Sequence, residues 1–140
     1  MATQESLDIT YMKMAETLSQ LSCAKRKKVG AIIVKGTQII SEGYNGTPNG
    51  FDNVCEFSDW VGQLRTKPEV LHAESNAITK LAKSTNSSSD SILYVTLAPC
   101  FNCCKLIIQS GIKKVIFKED RRANGLDILH KAGVEFQQIT

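Results

Sequence analysis

The chain has 140 residues, 42% of them hydrophobic and 22% charged, which suits one water-soluble core and leaves too little length for two domains. A formal net charge of +3 excludes the strongly basic surface that long nucleic acid requires, yet allows a local pocket for one phosphate. No run reaches the roughly 18 apolar residues of a membrane span, and the polar start of the chain is unlike a secretory signal, so a cytoplasmic protein with no membrane partner is expected.

Residues 7–21 place Ile9, Met12, Met14, Leu18 and Leu21 at roughly helical spacing, which predicts a first helix. Residues 29–34 are apolar and β-branched, Gly36 interrupts them, and residues 38–44 follow as a second strand of a hairpin. The stretch GYNGTPNG over residues 43–50 predicts a loop with unusual backbone angles. Residues 51–70 show weak periodicity and read as irregular, with one short helix near Trp60 and with Phe57 and Trp60 packed under the loop. A helix over residues 72–83 rests on Ala73, Ala77, Ile78 and Leu81, and a serine-rich turn follows.

The second half alternates strand and helix. Strands are expected over 92–97, 113–117 and 134–139, and helices over 99–110 and 124–132, each helix stopped by a glycine, Gly111 or Gly133. Such alternation implies parallel pairing and an α/β layer fold.

Five cysteines, with Cys100 and Cys103 in a Cys-x-x-Cys pair, favour metal binding in a reducing compartment over a disulfide framework. That pair alone would equally suit a redox couple or half of a structural zinc site. Upstream, however, stands His72-Ala73-Glu74, and Pro99 precedes Cys100. One imidazole and two thiolates make three Zn²⁺ ligands and leave a fourth position open, as catalysis needs. Cys100 and Cys103 share one side of a helix's first turn, where the helix dipole favours thiolates. Glu74, two residues beyond His72, is placed to handle protons rather than to bind the metal. His-x-Glu paired with Pro-Cys-x-x-Cys is the signature of zinc-dependent nucleobase deaminases.

From about residue 25 to 136 the sequence resembles the deoxycytidylate deaminases, including their bacterial and phage members. The resemblance is carried by Val29-Gly30-Ala31, GYNGTPNG at 43–50, HAESNAI at 72–78 and APCFNCCKLIIQSGIKKVIF at 98–117. It implies a three-layer α/β/α fold of the cytidine deaminase style, with a mixed sheet of about five strands in a single domain over 1–140. It implies hydrolysis of dCMP to dUMP and ammonia, with His72, Cys100 and Cys103 holding one zinc and Glu74 as the catalytic acid and base. Asn45 matches the family's asparagine that contacts the substrate, although a turn-forming role is the plain alternative. Ala73, Arg26, Arg121 and Arg122 join Asn45 as expected substrate contacts. Arg121 and Arg122, after Asp120, stand where relatives often carry a tyrosine, with a solvated charge pair at a helix start as their alternative, and Arg26 belongs to the basic run 25–28, whose alternative is a wet surface. Homohexamers, activation by dCTP and inhibition by dTTP also follow from the resemblance. Asn45, Gly46, Thr47 and Gly50 would then bind the effector, with Mg²⁺ as companion of its triphosphate. Cys23 and Cys55 lack a nearby second histidine, so a second zinc is not expected. Cys104 reads as a small buried hydrophobe and His130 as surface. Phe101 suits either the base pocket or the core. Deaminases of cytidine, guanine or transfer-RNA adenosine, and a non-catalytic zinc module, are the competing readings. Intact Glu74 argues against the last.

Overall fold

The computed structural model describes residues 2–121 and 124–140, so Arg122 lies outside the described residues. The chain runs α1 (Gln4–Ser19), β1 (Gly30–Lys35), β2 (Gln38–Tyr44), β3 (Glu56–Ser58), β4 (Leu64–Thr66) and α2 (Ala73–Lys80). After a 3₁₀ turn at Leu81–Lys83 come β5 (Ile92–Leu97), α3 (Phe101–Gln109), β6 (Lys114–Glu119), α4 (Leu126–Lys131) and β7 (Glu135–Gln138).

Five strands form one sheet in the order β2-β1-β5-β6-β7. The β1–β2 and β1–β5 pairs are antiparallel, and β5–β6 and β6–β7 are parallel. The mixed sheet expected from the sequence is therefore present. Helices α3 and α4 are the crossovers that parallel strands require.

Alternation along the buried strands divides their side chains between two cores. Ile32, Val34, Tyr94 and Ile116 face α1, whereas Ala31, Ile33, Leu93, Val95, Val115 and Phe117 face the other helices through Ala77, Ile107 and Leu129. This gives three layers, helix on sheet on helices.

Helix α1 buries only part of the face its apolar residues predict, with Met12 and Leu18 packed against the core. Ile9, Met14 and Leu21 are exposed, and the packed face is Asp8, Tyr11, Met12, Ala15 and Ser19. Close approach explains the small residues: a Cβ on Gly30 of β1 would sit 2.0 Å from the Ala15 carbonyl oxygen. Tall side chains at 15 or 19 would hold the helix off the strand. Asp8 is buried because the Tyr94 hydroxyl, at 2.5 Å, and the Gln4 amide, at 2.8 Å, both donate to its Oδ1.

Residues 51–70 also depart from expectation. There is no helix near Trp60; β3 and β4 pair as an antiparallel hairpin in the register Glu56↔Thr66, Phe57↔Arg65 and Ser58↔Leu64. Asp59 organises its turn, accepting the amides of Val61 at 3.0 Å and Gln63 at 2.8 Å. Trp60 is 95% exposed and Phe57 is exposed too, so neither packs under the preceding loop.

Candidate active site

The parallel strands β5 and β6 end at the same edge of the sheet, where β1 begins and β2 ends. A crevice at the carboxyl ends of parallel strands is where such folds place their ligands. His72 is the N-cap of α2 and Cys100 the N-cap of α3, both with extended backbone and neither spending its side chain on capping. Those side chains are free to turn toward each other.

They do so. His72 Nδ1 lies 3.5 Å from Cys100 Sγ and 3.3 Å from Cys103 Sγ, and the three donor atoms fall within 4.8 Å of one another. Tetrahedral Zn²⁺, with bonds of about 2.3 Å to sulfur and about 2.1 Å to nitrogen, places N and S roughly 3.6 Å apart. The donor set and its spacing therefore fit zinc with three protein ligands. Among the described residues this is the cluster of His, Cys, Asp and Glu side chains close enough to hold an ion.

The three groups are electrostatically linked and share protons unequally. Hydrogen bonds from Cys103 and His72 hold the Cys100 thiol far below the usual thiol range, while Cys103 is pushed upward by its bond to Cys100 and by burial. The His72 imidazole is raised, first by its bond to Cys100. Glu74 is 4% exposed, and burial, helped by the nearby Cys100 sulfur, pushes its carboxyl up to about 7. A carboxyl poised there both takes and gives a proton at neutral pH.

A cavity of about 290 Å³ opens over this centre. Its size is near the lower end for small-molecule sites and suits a single small ligand. Val29, Asn45, Ala73, Leu97 and Ala98 line it beside His72, Glu74 and Cys100. Arg26, Lys27 and Arg121 bring positive charge to the same cavity. Lys27 is already engaged, donating to Glu119 Oε2 at 2.6 Å and holding that carboxyl below its ordinary range. Of the expected substrate contacts, Asn45, Ala73, Arg26 and Arg121 thus gather at one cavity.

Asn45 is more constrained than a solvent-facing turn residue. Its Nδ2 donates to the Lys27 carbonyl at 2.7 Å, and its Oδ1 accepts the Val29 amide at 2.9 Å. The side chain locks the entry to β1 and keeps one N–H and one lone pair for the cavity.

Asn45, Gly46 and Thr47 also line a second cavity of about 660 Å³, which includes Lys80 and Lys83; Gly50 lies off it. Backbone donation from Gly46 is ruled out, because its N–H and C=O already pair with Leu71 at 3.1 and 2.8 Å. The Thr47 hydroxyl donates to the Asp52 carbonyl.

Sequence reasoning missed Cys55, Glu56, Thr66 and Val70, all part of the catalytic cavity and all from the segment read as irregular. Its Asp59 and Gly62, flanking a Trp-Val pair between two three-residue strands, were the available turn signal. Phe101 is 42% exposed, stacks near Lys105 and lies off the cavity. Cys104 is fully buried, its thiol raised to about 12 by desolvation, and His130 is exposed, both as expected.

Gly125, just before α4, packs against the ligand turn. A Cβ there would lie 2.5 Å from Cys104 Sγ and 2.9 Å from the Cys100 carbonyl oxygen.

Residues 5–119 match the family model of the cytidine and deoxycytidylate deaminase zinc-binding region. The chain is 35% identical to the deoxycytidylate deaminase of Enterobacteria phage T4, across 90% of this chain and 86% of that one. Identity to the Homo sapiens deoxycytidylate deaminase is 38%, across 92% and 77% of the two chains. The crystal structure of dCMP deaminase from the cyanophage S-TIM5, in complex with dCMP and dUMP, superposes with a TM-score of 0.90 at 45% identity, covering 99% of this chain and 100% of that one.

Proposed function

The chain belongs to the cytidine and deoxycytidylate deaminase family, and from that premise we propose that it acts as one domain, cytoplasmic, hydrolysing dCMP to dUMP and ammonia. The observation that carries this reading is the meeting of His72, Cys100 and Cys103 within 4.8 Å at the floor of a cavity that also holds buried Glu74 and cationic Arg26 and Arg121. A reducing compartment suits a site that needs both sulfurs as thiolates.

His72, Cys100 and Cys103 would hold zinc, whose chemistry there is to acidify water from about 15.7 toward roughly 7 and so supply a nucleophile at neutral pH. Glu74 does the proton work. Its carboxylate takes a proton from the water attacking the amino-bearing carbon and delivers it to the adjacent ring nitrogen. It then takes the second proton, from the hydroxyl now on that carbon, and passes it to the departing amine, so that water and dCMP become dUMP and ammonia. Burial of Glu74 keeps that proton from bulk solvent. Asn45 offers its remaining donor and acceptor to the sugar or base, Ala73 packs against the ring, and the arginines meet the phosphate.

Allosteric control by dCTP and dTTP, and assembly as a homohexamer, belong to the same proposal. The second cavity, where Lys80 and Lys83 accompany Asn45 and Thr47, supports the control, and the assembly rests on the family resemblance. With Gly46 committed to Leu71, side-chain cations rather than its amide would meet a triphosphate, and Mg²⁺ enters only as that triphosphate's companion.

The test is ammonia release from dCMP, deoxycytidine, cytidine, guanine and a transfer-RNA anticodon stem-loop, each with and without dCTP or dTTP. Preference for dCMP is expected. Equal turnover of deoxycytidine, or preference for the stem-loop, would sink the substrate assignment, and flat kinetics with either triphosphate would sink the control.

A further inference from the structure

The hairpin built by residues 51–70 forms one wall of the catalytic cavity, and a buried acid stands in that wall. We infer that Glu56 is a positioning residue for the substrate's phosphate, fixing the backbone of Arg26 while Thr66 fixes its guanidinium. This inference rests on the dCMP reading above.

Glu56 is 6% exposed, and acids are rarely buried so far without partners. Its Oε2 accepts two successive amides, Lys25 N at 2.8 Å and Arg26 N at 3.1 Å. Charge-assisted bonds from one carboxylate oxygen to neighbouring N–H groups hold that stretch of chain in a single geometry. Arg26 is held a second time, its Nη1 donating to Thr66 Oγ1 at 2.9 Å. Glu56 and Thr66 are direct partners in the β3–β4 register, so the acid and the hydroxyl stand side by side across the hairpin. One short hairpin thus grips both ends of one arginine.

The chemistry of the two grips differs in a telling way. A carboxylate on a cavity wall repels a phosphate unless its charge is spent elsewhere, and here it faces main-chain amides. The guanidinium meets a neutral hydroxyl, unlike Lys27, which is matched to Glu119. Its positive charge therefore stays available to an anion in the cavity that Arg26 lines, with further N–H donors beyond the one given to Thr66. Ordering such a side chain before the ligand arrives lowers the entropic cost of binding.

The experiment compares wild type with Glu56→Ala, Glu56→Gln and Thr66→Val on dCMP and on deoxycytidine, which lacks the phosphate. Glu56→Ala is expected to raise the KM for dCMP on the order of tenfold with kcat held within about twofold, and to leave kcat/KM for deoxycytidine unchanged. Glu56→Gln keeps an acceptor oxygen and should recover most of the loss. Thr66→Val, on the rim of the hairpin, should show the same KM-only pattern at smaller size, which keeps the test open if Glu56→Ala folds poorly. Amide hydrogen exchange at Lys25 and Arg26 should quicken in Glu56→Ala. Quickened exchange with an unchanged dCMP KM would overturn the inference and leave the substrate assignment standing. So would equal losses on both substrates, the mark of a merely structural role. Wild type that turns over no dCMP would remove the assignment and the inference together.

Discussion

Glu74 lies in a contradiction that only function resolves: a carboxyl almost fully excluded from water, with the Cys100 sulfur nearby adding to the cost of its charge. Replacing it with Gln keeps volume and burial but removes the exchangeable proton. Glu74→Gln should lose a factor on the order of 10²–10⁴ in kcat. Zinc content, read by metal analysis, should stay at one ion per chain, because Glu74 is not among the grouped ligands. A variant that keeps zinc and still deaminates at the wild-type rate would remove Glu74 from the mechanism. At this scale the sequence was highly legible. His72 with Glu74, and Cys100 with Cys103, each sit within a few residues, so helix geometry alone predicts how each pair is presented. Arg26 was less legible, because its neighbours Glu56 and Thr66 lie 30 and 40 positions along the chain.

Elements carry the next constraint, since the ligands are only as fixed as the helix ends that bear them. The turn opening α3 holds Cys100 and Cys103, and α4 begins directly against it at Gly125. Gly125→Ala pushes a methyl group toward the Cys100 carbonyl, a backbone atom that cannot yield without moving the ligand. Overpacking of this kind costs typically about 1–3 kcal/mol. The expected outcome is a lowered melting temperature together with weaker zinc retention in competition with a chelator. Loss of stability with zinc affinity intact would mean the strain is absorbed by Cys104 instead. The second half was legible because its strands β5 and β6 are short apolar runs and each of its helices ends at a glycine, Gly111 or Gly133. The face of α1 was legible only at Met12 and Leu18, because close packing on Gly30 calls for small residues at positions such as Ala15. The β3–β4 hairpin escaped for a related reason. Its strands are three residues long and largely exposed, so no alternation of buried and exposed positions marks them.

For the molecule as a whole, the metal centre joins two halves of the fold. His72 opens α2, which packs on the antiparallel β1–β2 side, whereas both cysteines open α3 within the parallel β5–β6–β7 side. A bound ion therefore ties the halves together at the edge of the sheet where the cavity opens, and it should stabilise the native state as any native-specific ligand does. At free zinc of 100 times the dissociation constant the gain is about 2.7 kcal/mol. At about 3 °C per kcal/mol for a chain of this length, that is a rise on the order of 8 °C in melting temperature. Stripping the protein with a chelator should lower the transition by that amount and abolish ammonia release. Zn²⁺ should restore both, and the transition should climb with the logarithm of free zinc. Mg²⁺, a hard cation that favours oxygen ligands, should restore neither at a site of two sulfurs and an imidazole. The stabilisation should also be lost in Cys103→Ala, whose buried sulfur is one leg of the tie, while Cys104→Ala, one residue away but off the metal, should keep its zinc response. A melting temperature indifferent to zinc in wild type would mean that His72 and the two sulfurs meet without an ion between them.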